Sequence, residues 1–145
     1  MHYVPRQLTA GELAALFEGR TRFVERLAER PDPLAEARAL LACLSEQEQR
    51  EALNAHPPIG AGGLSAASAR EQGVEDDPEV LAELVRLNRT YEAKFGFRFV
   101  VFVNRRPRSE ILRVLRLRLT RTPEEELRTG LDELVSIALD RYRSQ

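Results

Sequence analysis

The stretch Tyr91-Glu-Ala-Lys-Phe95-Gly96-Phe97-Arg98-Phe99-Val100-Val101-Phe102-Val103, written YEAKFGFRFVVFV, decides how the chain is read. Its first half closes an apolar stripe of Val80, Leu81, Leu84, Leu87 and Tyr91, spaced as one face of a 3.6-residue helix. Gly96 supplies a helix stop. Its second half is β-branched and aromatic, which favours an extended chain. No second run of that kind exists to pair with it. Phe97–Val103 is therefore expected between helices, with its backbone groups satisfied by something other than a sheet.

Outward from that stretch, helix signals dominate. Thr9-Ala10-Gly11-Glu12 fits a capping box, followed by Leu13, Leu16 and Phe17 on one face. Phe23, Val24 and Leu27 repeat the spacing before Pro31. Asp32-Pro33 opens a helix to about Leu44, and Ser45-Glu46-Gln47-Glu48, a second capping box, opens one to about Ala55. Ser65–Gln72 is helix-compatible and closes at Gly73. Asp77-Pro78 starts the long helix, Ser109 starts the next through Leu119, and Thr122-Pro123-Glu124-Glu125 is a third capping box. The fold expected is all-α: one domain over residues 1–145, a bundle of about seven or eight helices with one buried extended segment, Phe97-Val103.

Composition narrows the function. A net charge of -1 leaves no electrostatic footprint for nucleic acid or an anionic membrane surface. The arginines interleave with glutamates, the pattern of solvated helix faces. Cys43 is the single cysteine, so an intrachain disulfide and a multi-thiolate metal site are both excluded. It lies in an apolar run and is expected to be buried. With no membrane-spanning apolar run and no signal-like apolar start, a cytoplasmic location is expected.

Four features could carry chemistry. His56 stands at a helix end before Pro57 and Pro58, in HPPIG. Its ring either caps terminal carbonyls or, held by the stiff prolines, presents a nitrogen to a ligand; imidazole titrates near neutrality and passes protons both ways. Ser68, Glu71 and Gln72 share one helical face, either a plain polar surface or a hydroxyl, carboxylate and amide turned to a ligand. Phe97–Val103 is either core or an apolar wall offering backbone polar groups. Arg141 either caps the last helix or aims a bidentate guanidinium at a carboxylate.

The motifs HPPIG, SAREQ, YEAKFGFRFVVFV, EIL…LRLRL and PEEEL…ELVSIALDR together resemble the OHCU decarboxylase family in order and spacing. OHCU is 2-oxo-4-hydroxy-4-carboxy-5-ureidoimidazoline, an intermediate of urate breakdown. The resemblance runs from about Leu8 to Arg141 and is strongest from His56 to Leu119. It implies an all-α enzyme, a carboxy-lyase that converts OHCU to (S)-allantoin and CO2 with no metal and no organic cofactor, and a homodimer. Residue by residue, it implies that His56 is the catalytic acid/base and that Pro57 is the wall that positions it. Ser68, Glu71 and Gln72 become the polar side of the substrate site, with Ala69 and Arg70 between them in the same substrate-binding segment and Glu71 orienting the ligand or the imidazole. Phe99, Val100, Val101, Phe102 and Val103 become the stretch whose backbone meets the substrate ring. Arg141 becomes the partner of an anionic or carbonyl group, with Arg118 and Arg143 as other carriers of that role.

Two positions depart from the family pattern. Pro58 stands where an acidic residue or arginine often follows His-Pro, and Arg98 stands where proline is common. An inward Arg98 would make the pocket more basic. A related ureido or imidazolone compound as substrate, or a helical binding module without turnover, are the other functions compatible with the chain.

Overall fold

The computed structural model describes residues 7–58 and 77–145. Among the described residues there are seven helices and no strand. They are α1 (Ala10–Phe17), α2 (Arg22–Leu27), α3 (Pro33–Cys43), α4 (Glu46–Asn54), α5 (Pro78–Phe95), α6 (Arg108–Arg118) and α7 (Pro123–Arg143). The expected helix over Ser65–Gln72 lies outside the described residues. The all-helical architecture read from the sequence is the one observed.

Local chemistry accounts for the helix ends. Thr9 and Thr122 each form a full capping box, with Glu12 and Glu125 reaching back to the cap N–H. Ser45 caps α4 by accepting from the Glu48 N–H, but the box there is only half made. The Glu48 carboxylate accepts from the Ser45 hydroxyl instead and pairs with Arg26 of α2. Gly96 ends α5 at φ 79°, a left-handed position glycine adopts without steric cost. Any side chain there would also meet the Arg50 guanidinium at 3.0 Å.

Helix α7 packs against α1, α3 and α4, α2 packs against α1, α3 and α4, and α5 pairs with α6. Phe23, Leu13, Leu27, Leu53, Leu84, Ile111, Leu115 and Leu134 fill the interior. Cys43 is a correction: it is exposed. The buried stripe of α3 is Ala37, Leu40 and Leu41, continued by Leu44, and Cys43 projects from the opposite side of that helix turn.

The segment Phe97–Val103 forms neither helix nor strand and is mostly buried. Side chains stand in for a neighbouring strand. Asn54 Oδ1 accepts from the Arg98 N–H at 3.0 Å, and Glu133 Oε1 from the Phe102 N–H at 3.4 Å. Arg118 Nη1 donates to the Val100 carbonyl at 2.7 Å, while Arg106 donates to the carbonyls of Phe102 and Val103 at 2.6 and 3.0 Å.

Arg118 also makes the most deeply buried ion pair described. Its Nε lies 2.7 Å from Glu126 Oε1, with side chains 5% and 0% exposed. Tyr91 Oη donates to the same oxygen at 2.7 Å, and Arg121 Nη1 reaches Oε2 at 3.0 Å. The Arg118 guanidinium lies 4.6 Å from the Phe99 ring centroid. Burial, then the bond to Glu126, pushes the Tyr91 hydroxyl well above the ordinary phenol range, so it stays a donor.

Removing one partner strands a buried charge, which typically costs about 3–5 kcal/mol. Glu126→Ala is therefore expected to lower the free energy of urea unfolding by about that amount, read by far-UV circular dichroism. A loss under about 1 kcal/mol, the scale of an exposed ion pair, would show that the pair does not organise the core.

Candidate active site

Helix α4 ends at Asn54, and the backbone N–H of His56 donates to the Leu53 carbonyl at 3.1 Å to finish the last turn. The helix therefore closes through the backbone, and the ring is left for other work. His56, Pro57 and Pro58 are each half-buried. Nδ1 of His56 is enclosed and has no hydrogen-bond partner among the described residues. The His56 carbonyl accepts from Arg98 Nη1 at 2.9 Å, and Nε of Arg98 lies 3.4 Å from Glu92 of α5. Arg98 thus ties the extended segment, α5 and the His56 backbone together.

Helix α7 brings Arg141 to the same corner. Its side chain is 5% exposed, and Nη1 donates to the Leu16 carbonyl at 3.0 Å and lies 3.1 Å from Glu18 Oε1. The guanidinium does cap a helix, but the helix is α1 rather than its own α7. Burial lowers the His56 pKa to about 4 from 6.5, aided by the positive charges of Arg141 and Arg98 and opposed by the Glu18 carboxylate. At neutral pH the imidazole is uncharged. It can accept a proton there, and an anion bound beside it would raise its basicity.

A cavity of about 520 Å³ opens elsewhere, between α3, α4 and the start of α7. Arg38, Leu41, Arg50, Phe97, Leu127 and Leu131 are among its walls, and His56 and Arg141 are not. The titratable cluster is a better guide to chemistry than that volume, because it joins an enclosed, unpartnered ring nitrogen to three charged groups. Among the described residues there is no group of three or more His, Cys, Asp or Glu side chains placed to hold a metal, and no helix long and apolar enough to cross a membrane.

A family model described as OHCU decarboxylase matches residues 4–143. The chain belongs to the OHCU decarboxylase family. Among curated relatives, the 2-oxo-4-hydroxy-4-carboxy-5-ureidoimidazoline decarboxylase of Mus musculus is 34% identical over 109 residues, 69% of this chain and 61% of the mouse protein. The chain thus spans about three fifths of that relative's length. It spans 21% of the uric acid degradation bifunctional protein of Bacillus sp. (strain TB-90), which is 29% identical over 68% of this chain. Among solved structures, OHCU decarboxylase in the presence of (S)-allantoin superposes with a TM-score of 0.73 at 23% identity, covering 90% of this chain and 94% of that one, and shows a shared fold.

Of the residues that the family resemblance singled out, His56 and Arg141 come together, and Pro57 lies beside His56. Ser68, Ala69, Arg70, Glu71 and Gln72 lie outside the described residues. In Phe99–Val103, the carbonyls of Val100, Phe102 and Val103 already have protein partners. Arg118, the other carrier considered for the ligand-facing guanidinium, is held in the core by Glu126 and the Val100 carbonyl, with Nη2 buried and without a hydrogen-bond partner among the described residues. Arg143 is exposed near the end of α7. Of the two readings of Arg98, the inward one holds: its guanidinium donates to the His56 carbonyl and adds positive charge near the ring. One residue, Glu18, was missed. Glu18 carried only one local signal, a carboxylate directly before Gly19 at a helix end.

The lowered pKa has a sign that stability can read. The unfolded imidazole takes up a proton near pH 6.5 and the folded one only near about 4. His56 therefore withholds nothing above pH 6.5 and costs stability progressively as pH falls toward about 4. That gap corresponds to about 3 kcal/mol. Unfolding free energy measured in urea is expected to fall more steeply between pH 7 and 4.5 for the native chain than for His56→Asn; equal slopes would show an ordinary histidine.

Proposed function

We propose that this chain decarboxylates OHCU to (S)-allantoin and CO2, as a cofactor-independent carboxy-lyase of urate breakdown. The observation that carries the proposal is the enclosed His56 Nδ1, without a hydrogen-bond partner among the described residues and within reach of the charge of the buried Arg141 guanidinium, in a chain of this family. The names of the relatives point the same way, and one solved structure similar to the chain is (S)-allantoin synthase, 25% identical with a TM-score of 0.68 over 93% of this chain and 48% of that one.

The chemistry asks three things of the protein. The carboxylate must be held so that the breaking C–C bond lies along the ring π system. When that bond breaks, its electron pair stays on the ring carbon and spreads into the adjacent C=N and carbonyl groups, so no organic electron sink is required. A proton must then reach the neighbouring, ureido-bearing ring carbon from one face, because that carbon is the product's stereocentre while the carbon that lost CO2 becomes a carbonyl. Arg141 supplies a bidentate cation for the carboxylate or a ring carbonyl. His56, neutral at rest, accepts a proton from the substrate hydroxyl, which becomes a carbonyl, or from the ring, and delivers one to the neighbouring ureido-bearing carbon. Pro57 stiffens the backbone behind the ring.

Ser68, Glu71 and Gln72 take the polar side of the pocket in this proposal, with Ala69 and Arg70 between them. Glu71 orients the ligand or the imidazole. Phe99–Val103 forms the wall against the substrate ring. A homodimer in the cytoplasm is part of the same proposal. Light scattering on the eluting protein would read the first, as twice the 16.5 kDa chain mass.

OHCU is unstable and is best generated in place, from urate with urate oxidase and hydroxyisourate hydrolase. Added protein is expected to bring up the circular dichroism of (S)-allantoin well ahead of spontaneous decay. His56→Ala should slow turnover by about 10²–10⁴-fold, the usual contribution of a general acid–base group. Folded protein that leaves the decay unchanged would move the activity to a related ureido compound or to a binding role.

A further inference from the structure

Glu18 follows α1 as its C-cap at φ 64°, ψ 25°, a left-handed conformation that residues with a side chain seldom adopt and that glycine takes freely. Glycine is present one position later. A Cβ on Gly19 would stand 3.0 Å from the Ala55 Cβ, so this turn is pressed against the end of α4, one residue before His56. The chain therefore keeps a carboxylate at the strained position and spends its glycine on close approach. Strained residues persist where the surroundings over-determine them, and they gather at functional sites.

What the carboxylate does there is specific. It is 15% exposed on its side chain and sits 3.1 Å from Nη1 of the buried Arg141, whose same nitrogen is fixed by the Leu16 carbonyl. A buried ion pair is a poor source of net stability, because desolvating both charges offsets their attraction. Such a pair at a strained residue is better explained by orientation than by stability.

We propose that Glu18 is a positioning residue for the reaction proposed above: it clamps Arg141 in one orientation beside His56 and balances the positive charge around the imidazole. The inference rests on that reading of the reaction. Among the described residues, the charged groups acting on His56 are Glu18 from the end of α1, Arg141 from α7 and Arg98 from the extended segment. Glu18 is the anion of the three. It opposes the two arginines, and without it the ring would be harder still to protonate.

The test uses two readouts on the full chain. NMR titration follows the His56 ring, and His2 is the only other histidine signal. Glu18→Gln keeps the size and an acceptor for Arg141 but removes the charge. Its His56 midpoint is expected below that of the native chain, and Arg141→Gln is expected to move it above. In turnover of OHCU generated in place, Glu18→Gln is expected to lower kcat about tenfold or more, equivalent to about 1.4 kcal/mol of barrier, with the acid limb of kcat/KM displaced to lower pH. Glu18→Asp, which retains charge on a shorter arm, should keep the His56 midpoint and still lose kcat. A merely structural Glu18 would lower the unfolding midpoint and leave the titration where it was. An unchanged His56 midpoint in Glu18→Gln, or a native kcat in both variants, overturns the proposal. An inactive native chain whose His56 midpoint still responds to Glu18→Gln sinks the reaction and leaves the charge balance standing.

Discussion

The buried pair between Arg118 and Glu126 is the constraint on which the rest of the molecule depends. An extended segment inside a helical bundle has no strand beside it to satisfy its backbone. Arg118 meets that need at the Val100 carbonyl and is itself neutralised by Glu126, 2.7 Å away. Tyr91 donates to the same carboxylate and stacks its ring edgewise on Phe99, with centroids 5.2 Å apart. One cluster thus joins the end of α6, the start of α7, the last turns of α5 and the segment between α5 and α6. Short bonds from Arg118 Nε and Nη1 offset part of the cost of desolvating the charges, while Nη2 of Arg118 is buried with no hydrogen-bond partner among the described residues.

That cluster is tied to the candidate site by rigid elements. Helix α7 carries Glu126 near its start and Arg141 near its end. Fifteen residues at about 1.5 Å each separate them by roughly 22 Å along a single rod. The extended segment gives a second route: Val100 is held by Arg118, and Arg98, two residues earlier, holds the His56 carbonyl and the Asn54 side chain. The imidazole is therefore placed by two elements anchored in the same buried network. Its neighbours keep it uncharged, and the site's character follows from burial first and from Arg141 and Arg98 second.

Local chemistry made much of the fold legible. Thr9, Asp77 and Thr122 act as the caps their positions announce, prolines sit in the first turns of α3, α5 and α7, and Gly96 stops α5 in the left-handed region. The lone extended run was visible too, along with its need for partners. Cys43 was misjudged because an apolar neighbourhood outweighed helical phase: Leu40, Leu41 and Leu44 face inward and Cys43 does not. At the site, His56 stood out by its prolines, Arg141 by its place near the end of the last helix and Arg98 by its departure from the family pattern, while Glu18 did not stand out.

The difference has one physical cause. Caps, stops and apolar stripes act over three or four residues, so the amino-acid order by itself determined the helices, their ends, the buried extended segment and the family. The bonds that make the site act over far longer separations: Arg141 reaches Leu16 and Glu18 at the other end of the chain, and Arg98 reaches back to His56. No local propensity encodes which carboxylate a distant guanidinium will find. Only the packing of α1, α4 and α7 around one core decided that Glu18, Arg141 and His56 would share a corner, and that Arg118 would serve the core instead.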